Sequence, residues 1–225
     1  IAATIAINAI TADNIINAAE ASGTVPVTGT VGGDAKVGDT VTLSVGGSNF
    51  TGVVLAGNTF SIGVPGATLA VNGTVNASVT ASDTAGNTVT VSAAHPYTVD
   101  TTASATITIN AITADNIINA AEAATALVPV TGAVGADAKV GDTVTLTVGG
   151  TNFTGLVLAG NTFSIGVPGA ALGAKTSVNA SVSASDAAGN TITVSAAQPY
   201  SVDTAIAATI TINAITADNI VNAAE

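Results

Sequence analysis

The chain has 225 residues, of which 48% are hydrophobic and 8% charged, and its formal net charge is −11 at pH 7. Because only three residues are Lys or Arg, no basic face for phosphate is expected, which excludes nucleic acid as a partner. Apolar runs stay well short of the roughly 20 residues of a membrane-spanning helix, so we expect no membrane insertion by this segment.

The sequence is internally repeated. The segment Ile5–Glu20 returns as Ile107–Glu122 and again as Ile210–Glu225, at spacings of 102 and 103 residues. A unit of about 100 residues can bury its own core. We therefore predict two complete domains, residues 1–101 and 102–204, followed by the first strand and loop of a third repeat in residues 205–225.

Each repeat contains short runs of alternating apolar and polar residues, separated by Gly, Asn, Asp and Pro. In the first repeat there are seven such runs, at approximately Thr4–Ile10, Thr24–Val31, Thr40–Val45, Asn49–Leu55, Thr59–Val64, Thr74–Ser82 and Thr88–Val99. Each run has one apolar face, as two packed antiparallel sheets require. The pattern predicts an all-β chain of tandem seven-stranded antiparallel immunoglobulin-like sandwiches arranged end to end. Pro26 lies inside the second run, which places that strand at an edge, near its start or at a bulge.

Strand parity predicts which loops lie at the same end of a domain. If the first strand runs upward, the loop at residues 11–23 and the exit at Asp100 lie at the top. The turn Asp83–Asn87 and the entry of the chain lie at the bottom. Consecutive domains are then expected to meet top against bottom.

The residue types argue against an enzyme. Cysteine is absent, and His95, the only histidine, is replaced by Gln198 in the second repeat. The many Ser and Thr residues have no neighbouring base, so a hydrolase triad lacks its general base. We predict no catalytic residues.

Acidic residues recur at the same loop positions of both repeats. One interpretation is that duplication copied them regardless of use, since loops are where acids ordinarily lie. The other is Ca²⁺, a hard cation that takes about six to eight oxygen ligands. Carboxylates crowded at a domain junction repel one another unless a cation is present, and we therefore expect calcium there.

The expected metal ligands follow from the parity argument. At the first junction, the top of the first domain and the bottom of the second contribute Asp13, Asn14, Glu20, Asp100, Asp186 and Asn190. The cluster at the next junction consists of Asp115, Asn116, Glu122 and Asp203. Asp83 is the first-repeat counterpart of Asp186. No run matches an EF-hand loop.

The resemblance of the chain to a known family rests on four motifs, which are Ile-Thr-Ala-Asp-Asn-Ile-Ile-Asn-Ala-Ala-Glu, Val-Gly-Asp-Thr-Val-Thr-Leu, Ser-Asp-Ala-Ala-Gly-Asn-Thr and Tyr-(Thr/Ser)-Val-Asp-Thr. Together they resemble the bacterial immunoglobulin-like repeats of giant type-I-secreted adhesins and biofilm-associated proteins. The resemblance covers the whole chain. It implies an extender region on the surface of a Gram-negative cell, with calcium at or near domain junctions. The acidic positions that match are Asp13, Glu20, Asp83 and Asp100, with their second-copy counterparts.

Two functions from different classes follow. The first is a structural spacer in a cell-surface adhesin, whose partners are the neighbouring repeats of the same chain. The second is a subunit of an extracellular filament or surface layer, joined to like chains by β edges or strand sharing. A carbohydrate-binding module is disfavoured because only 3% of the residues are aromatic and Trp is absent.

Overall fold

The computed structural model describes residues 1–215, 220, 221 and 223. The fold is all-β, with 52% of the residues in strands and 8% in helices, as the alternating runs predict. Each complete repeat has its own hydrophobic core. No helix among the described residues is long and apolar enough to cross a membrane.

The two complete repeats have the same order of elements. The first contains β1 (Ala3–Ile7), β2 (Ile15–Ile16), α1 (Ala18–Ala21), β3 (Thr24–Gly33), β4 (Thr40–Val45), β5 (Ser48–Val53), β6 (Thr59–Pro65), α2 (Gly66–Leu69), β7 (Thr74–Ser82), β8 (Thr88–Pro96) and β9 (Thr98–Val99). The second contains β10 (Ala105–Ile109), β11 (Ile117–Asn119), α3 (Ala120–Ala123), β12 (Val128–Ala136), β13 (Thr143–Val148), β14 (Thr151–Leu156), β15 (Thr162–Val167), α4 (Gly169–Gly173), β16 (Ser177–Ser185), β17 (Thr191–Pro199) and β18 (Ser201–Asp203).

Each repeat is a sandwich of two antiparallel sheets. In the first repeat the sheets have the strand orders β1-β3-β6 and β5-β4-β7-β8, and the second repeats them as β10-β12-β15 and β14-β13-β16-β17. The apolar faces of the strands meet in the core, where Val27, Leu43 and Phe60 are almost completely buried. Branched and aromatic side chains suit this pleated, two-layer packing.

One predicted strand is broken in two, which adds a short parallel pair to the antiparallel sandwich that the sequence predicts. The run Thr88–Val99 forms β8 and then, after Pro96 and Tyr97, the short strand β9. Pro96 has no N–H for a ladder, and the Tyr97 side chain turns into the core, where its hydroxyl donates to Leu69 O at 2.8 Å. The chain then continues beside β2, and the β2–β9 pair is parallel.

Pro26 lies in β3, the middle strand of its sheet. It pairs with Gly63 of β6, whereas β1 reaches β3 no further than Gly29. At Pro26 the strand is therefore locally an edge, near its start, and the missing N–H breaks no ladder bond. The sequence-based prediction for this proline is confirmed.

The loop at residues 11–23 is more regular than its sequence suggests. It contains β2 and the one-turn helix α1, whose first turn is closed by a capping box. The Asn17 side chain accepts from Glu20 N at 3.0 Å, and Glu20 Oε2 accepts from Asn17 N at 3.0 Å. These two bonds satisfy N–H groups that a helix start otherwise leaves unpaired.

Residues 204–215 form no strand here, and the assignment of residues 205–225 to the first strand and loop of a third repeat stays a prediction. The equivalent strands β1 and β10 form by pairing with β3 and β12, and the 225 residues contain no third equivalent of those partners. Ile206 and Ile210 accordingly stay 94% and 91% exposed. Asp218 and Glu225 lie outside the described residues.

The loops are distributed between the ends as parity predicts. At one end, Gly66 N donates to Gly23 O at 2.8 Å and so joins α2 to the segment after α1. At the other end, Lys36 Nζ donates to Ser82 O at 3.0 Å. The first end of one repeat faces the second end of the next.

Candidate functional site at the junction of the two repeats

A turn at the bottom of the second repeat docks on the start of α1 in the first. This junction turn, residues 186–190, connects β16 to β17. The Asn190 side chain accepts from Ala18 N at 2.8 Å, and the Asn17 side chain donates through Nδ2 to Ala188 O at 3.0 Å. The domains therefore meet top against bottom, through polar contacts.

The linker joins the same contact. Asn190 Nδ2 donates to the carbonyl oxygen of Asp100 at 2.8 Å and to Asp186 Oδ2 at 2.7 Å. Both amide hydrogens are thus used, one on the linker and one on the turn itself. One side chain consequently holds the first repeat, the linker and the second repeat at a single point.

Docking changes the burial of the turn. Asn190 is 5% exposed and is the only buried polar or charged residue in the part of the chain that the structure describes. Its counterpart Asn87 is exposed, although it makes the same bonds to Asp83 within its own turn, at 2.9 and 2.8 Å. Burial of Asn190 therefore results from docking against the first repeat and the linker.

Three predicted metal ligands lie in the three segments that meet here. Glu20 belongs to α1, Asp100 opens the linker and Asp186 opens the junction turn. Asp100 Oδ1 accepts from Thr102 N at 3.2 Å, while both oxygens of Asp186 accept from Asn190. The structure thus brings Asp100 and Asp186 to the same amide group.

Asp13 and Asn14 belong to a separate turn before β2. Asp13 Oδ1 accepts from Ile15 N at 3.0 Å, and Asn14, at a φ of 61°, accepts through Oδ1 from Ile10 N at 3.1 Å. Asp13 and Asn14 precede β2, whereas Asn17 and α1, which contact the junction turn, follow it. The two residues shape the entry into β2 and make no hydrogen bond to the junction turn among the described residues.

The second repeat reproduces these local arrangements. Asp115 accepts from Ile117 N, Asn116 from Ile112 N, Glu122 from Asn119 N and Asp203 from Ala205 N, at 3.0 to 3.3 Å. Within residues 1–215 and the few described beyond them, no three Asp, Glu or His side chains form a cluster that could hold a metal ion. The role of the eleven predicted residues as ligands stays a prediction.

A cleft of about 370 Å³ lies at the junction. It is lined by Ala18, Ala19, Thr101, Ala103, Gly189, Asn190 and Thr191. The lining residues come from α1, the linker and the junction turn with the strand that follows it. The domains are therefore held by a narrow contact beside a solvent space.

Hydrogen bonds in the turns lower the pKa of four carboxyl groups. For Asp83 and Asp186 the main cause is the side chain of the Asn four residues later, and for Asp13 and Asp115 it is the backbone N–H two residues later. These bonds favour the ionised form.

Acid is therefore expected to destabilise both repeats. A carboxyl group whose pKa is lowered in the folded state stabilises that state above its unfolded pKa of about 3.9, and this contribution is lost as the pH falls through the lowered value. We expect the melting temperature in calcium-free buffer to fall below about pH 4, and Asp83→Asn to make the fall shallower for the first repeat. Calorimetry at a series of pH values around pH 4 tests this expectation. Thr84→Asn, a substitution at an exposed position of the same turn, is the control. Equal slopes for wild type and Asp83→Asn would contradict it.

Sequence reasoning missed Asn17 and Ala188 at the junction. Asn17 was detectable, because Asn-Ala-Ala-Glu is a capping-box pattern ahead of a short helix. Ala188 left no signal, since only its backbone carbonyl is used. The Asn190 side chain forms direct contacts across the junction, which the sequence did not indicate, and its predicted role as a calcium ligand stays a prediction.

Solved structures similar to this chain come from large bacterial adhesins. One is described as a Ca²⁺-stabilised adhesin that helps an Antarctic bacterium reach out and bind ice; it is 47% identical over 98% of this chain and 54% of its own, with a TM-score of 0.85. A second concerns host cell surface retention of a 1.5-MDa bacterial ice-binding adhesin, with 45% identity over 90% of this chain and 65% of that one and a TM-score of 0.86. This chain spans about half the length of the first and under two thirds of the second.

A single-domain structure matches one repeat. It is a bacterial immunoglobulin-like domain from the M. primoryensis ice-binding adhesin, 49% identical over 43% of this chain and 96% of its own, with a TM-score of 0.42. No protein-family model and no curated protein matches the sequence. The identities, and the agreement of the two longer structures over nearly the whole chain, show that the chain belongs to the bacterial immunoglobulin-like repeats of giant adhesins.

Proposed function

We propose that this chain is a structural, non-enzymatic extender segment of a giant adhesin, which holds a binding domain away from the bacterial surface. The observation that carries the proposal is the end-to-end junction, in which the top of one repeat binds the bottom of the next. A contact between opposite ends adds length with every repeat. The location that follows is extracellular, at the bacterial cell surface.

We further propose that Ca²⁺ stiffens this junction. Support comes from the donor chemistry, because the three segments that meet here each carry one carboxylate, Glu20, Asp100 and Asp186; these do not form a cluster among the described residues and would have to converge on the ion. Among the described residues, Glu20 Oε1 and Asp100 Oδ2 accept no hydrogen bond, so both keep lone pairs for a hard cation. A bound Ca²⁺ would neutralise these carboxylates and restrict bending of the linker. Glu122 and Asp203 hold the equivalent places after the second repeat.

Small-angle scattering of the full chain tests the calcium proposal. We expect the maximum dimension to be larger in millimolar Ca²⁺ than in EGTA, because an uncompensated acidic hinge samples bent arrangements. In Asp100→Asn, which keeps an acceptor for Thr102 N, the effect of Ca²⁺ should shrink. If the maximum dimension of the wild-type chain is the same with and without Ca²⁺, the calcium proposal is contradicted.

The chain contains a matched control for this variant. Asp203 occupies the position of Asp100 in the second repeat and caps the following backbone in the same way. The junction between repeats that the structure describes lies at Asp100 and not at Asp203, so Asp203→Asn should leave the response of the scattering curve to Ca²⁺ intact. If the two variants behave alike, the effect of Asp100 does not arise at the junction.

An assembly role is the second candidate. Both repeats expose apolar side chains at the end of an edge strand and just beyond it. Val53 ends β5 and Leu55 follows it, with 51% and 46% exposed, and Leu156 ends β14 and Leu158 follows it, with 56% and 50% exposed. Exposed apolar edges can pair between chains. Sedimentation of the full chain at micromolar concentration separates the candidates, because a spacer stays monomeric and a filament subunit self-associates.

A further inference from the structure

The Asn190 amide is held in one orientation. Its oxygen faces the N–H of Ala18, and its nitrogen faces two oxygens, the Asp100 carbonyl and the Asp186 carboxylate. Turning the amide over would set a donor against the Ala18 N–H and an acceptor against two oxygens. The three partners belong to the first repeat, the linker and the second repeat. All three hydrogen bonds therefore form together in only one arrangement of the two domains.

Burial of the Asn190 amide makes the loss of its hydrogen bonds costly in free energy. A buried amide that loses its partners costs about 1 to 3 kcal/mol, whereas an exposed one exchanges them for water. Asn190 is 5% exposed in the docked state. If the second repeat swung away while the side chain stayed covered, its oxygen and one N–H would be left without partners. Bending is therefore coupled to exposure of this turn.

From this geometry we propose that Asn190 is a metal-independent lock that sets the direction in which the second repeat leaves the first. The inference rests on the extender function and deepens it. The contacts of Asn190 are direct hydrogen bonds between protein atoms and need no metal. A bound cation would then restrict bending about a domain orientation that the Asn190 amide already selects. Asn190 thus has a docking role beside the ligand role that the sequence predicts for it, and the ligand role stays a prediction.

The two halves of this contact recur at the other end of each repeat. A docking surface equivalent to Asn17–Ala18 is present at Asn119–Ala120, where the capping box recurs and both residues are exposed. An equivalent of the junction turn is present at residues 83–87, with Asn87 exposed. Each repeat thus carries one half of the contact at each end. The partner that fits is a further copy of this repeat, bound head to tail.

Asn190→Ala in the full chain tests the lock, and Asn87→Ala is its matched control. Both variants remove the same side-chain bond within a turn, from the Asn Nδ2 to the Asp carboxylate, and keep the bond from the backbone N–H. Only the first variant also removes bonds to the other repeat and to the linker. The two variants should therefore cost their own repeats similar stability in thermal unfolding. A difference in domain orientation between them then reports on the junction rather than on the turn.

The orientation of the second repeat relative to the first can be followed through the distance between two spin labels, one in each repeat. The chain has no cysteine, so Thr51→Cys and Thr154→Cys, both exposed and one in each repeat, accept a pair of spin labels without competing sites. In EGTA we expect the distance distribution of Asn190→Ala to be about twofold broader than that of wild type, since weakly joined domains move relative to each other by default. Asn87→Ala should match wild type. Ca²⁺ should narrow all three distributions.

The outcomes separate this inference from the calcium proposal. If Asn190→Ala and wild type have the same distribution in EGTA, the lock is overturned, whether or not Ca²⁺ narrows both. If Ca²⁺ has no effect while Asn190→Ala alone is broad, the calcium proposal fails and the lock stands. A broad distribution for Asn87→Ala as well would also overturn the lock, because the effect would then come from the turn.

Discussion

Phe60→Ala is expected to lower the unfolding free energy of the first repeat by about 3–5 kcal/mol, a large part of the 5–15 kcal/mol typical of a domain. The Phe60 side chain is 1% exposed and lies between the two sheets. Removing it deletes buried apolar surface and leaves a cavity that the surrounding β-branched residues cannot fill by small movements.

Two calorimetric transitions, or one asymmetric transition, should make the effect of Phe60→Ala assignable. Phe163 is the equivalent residue of the second repeat and is also 1% exposed, so Phe163→Ala should shift the other part of the curve. Phe50→Ala is the control, since Phe50 is only partly buried and lies on the outer strand β5. A loss for Phe60→Ala no greater than that for Phe50→Ala would contradict the placement of the core.

Gly29→Ala is expected to have the second-largest effect, a loss of about 1–3 kcal/mol. A Cβ at Gly29 would collide with the carbonyl oxygen of Ala6 on β1 and with the Phe60 ring. The backbone oxygen belongs to a paired strand and cannot give way, so the sheet or the ring must shift. Gly132 has the same surroundings, with Thr108 and Phe163.

Urea unfolding of the full chain measures the cost of Gly29→Ala. Gly23→Ala is the control, because a Cβ there would meet nothing closer than 3.9 Å and its φ is not in the left-handed region. We expect Gly23→Ala to be near neutral and Gly132→Ala to destabilise the second repeat as Gly29→Ala destabilises the first. If Gly29→Ala were as mild as Gly23→Ala, the close packing of the ring on the glycine would be refuted.

The strands were predictable because their information is local. Alternation at Thr40–Val45 and the turn residues beside it do not depend on the rest of the chain. The break at Pro96 and the parallel pairing of β9 were missed. They depend on Tyr97 reaching Leu69 O, 28 residues away in sequence, which no local period records.

The acidic positions show a similar division. Placement of Asp100 and Asp186 at one junction followed from strand parity alone, since parity fixes the end of the sandwich at which each loop lies. Parity does not predict that Asp13 makes its hydrogen bonds within its own turn, because parity fixes the end of the sandwich and not the direction of a side chain. Hydrogen bonds then turn Asp13 towards its own loop.

Asn87 and Asn190 illustrate where sequence information ends. The two residues lie in almost identical segments, and each segment specifies the same hydrogen-bonded turn, because an Asp followed by an Asn four residues later closes it locally. Their environments nevertheless differ, since Asn87 is exposed and Asn190 is covered by the preceding repeat and the linker. Strands and turns are consequences of short-range patterns, and the repeat period can be read from the sequence directly. Burial of Asn190 at the junction exists only once two folded domains meet.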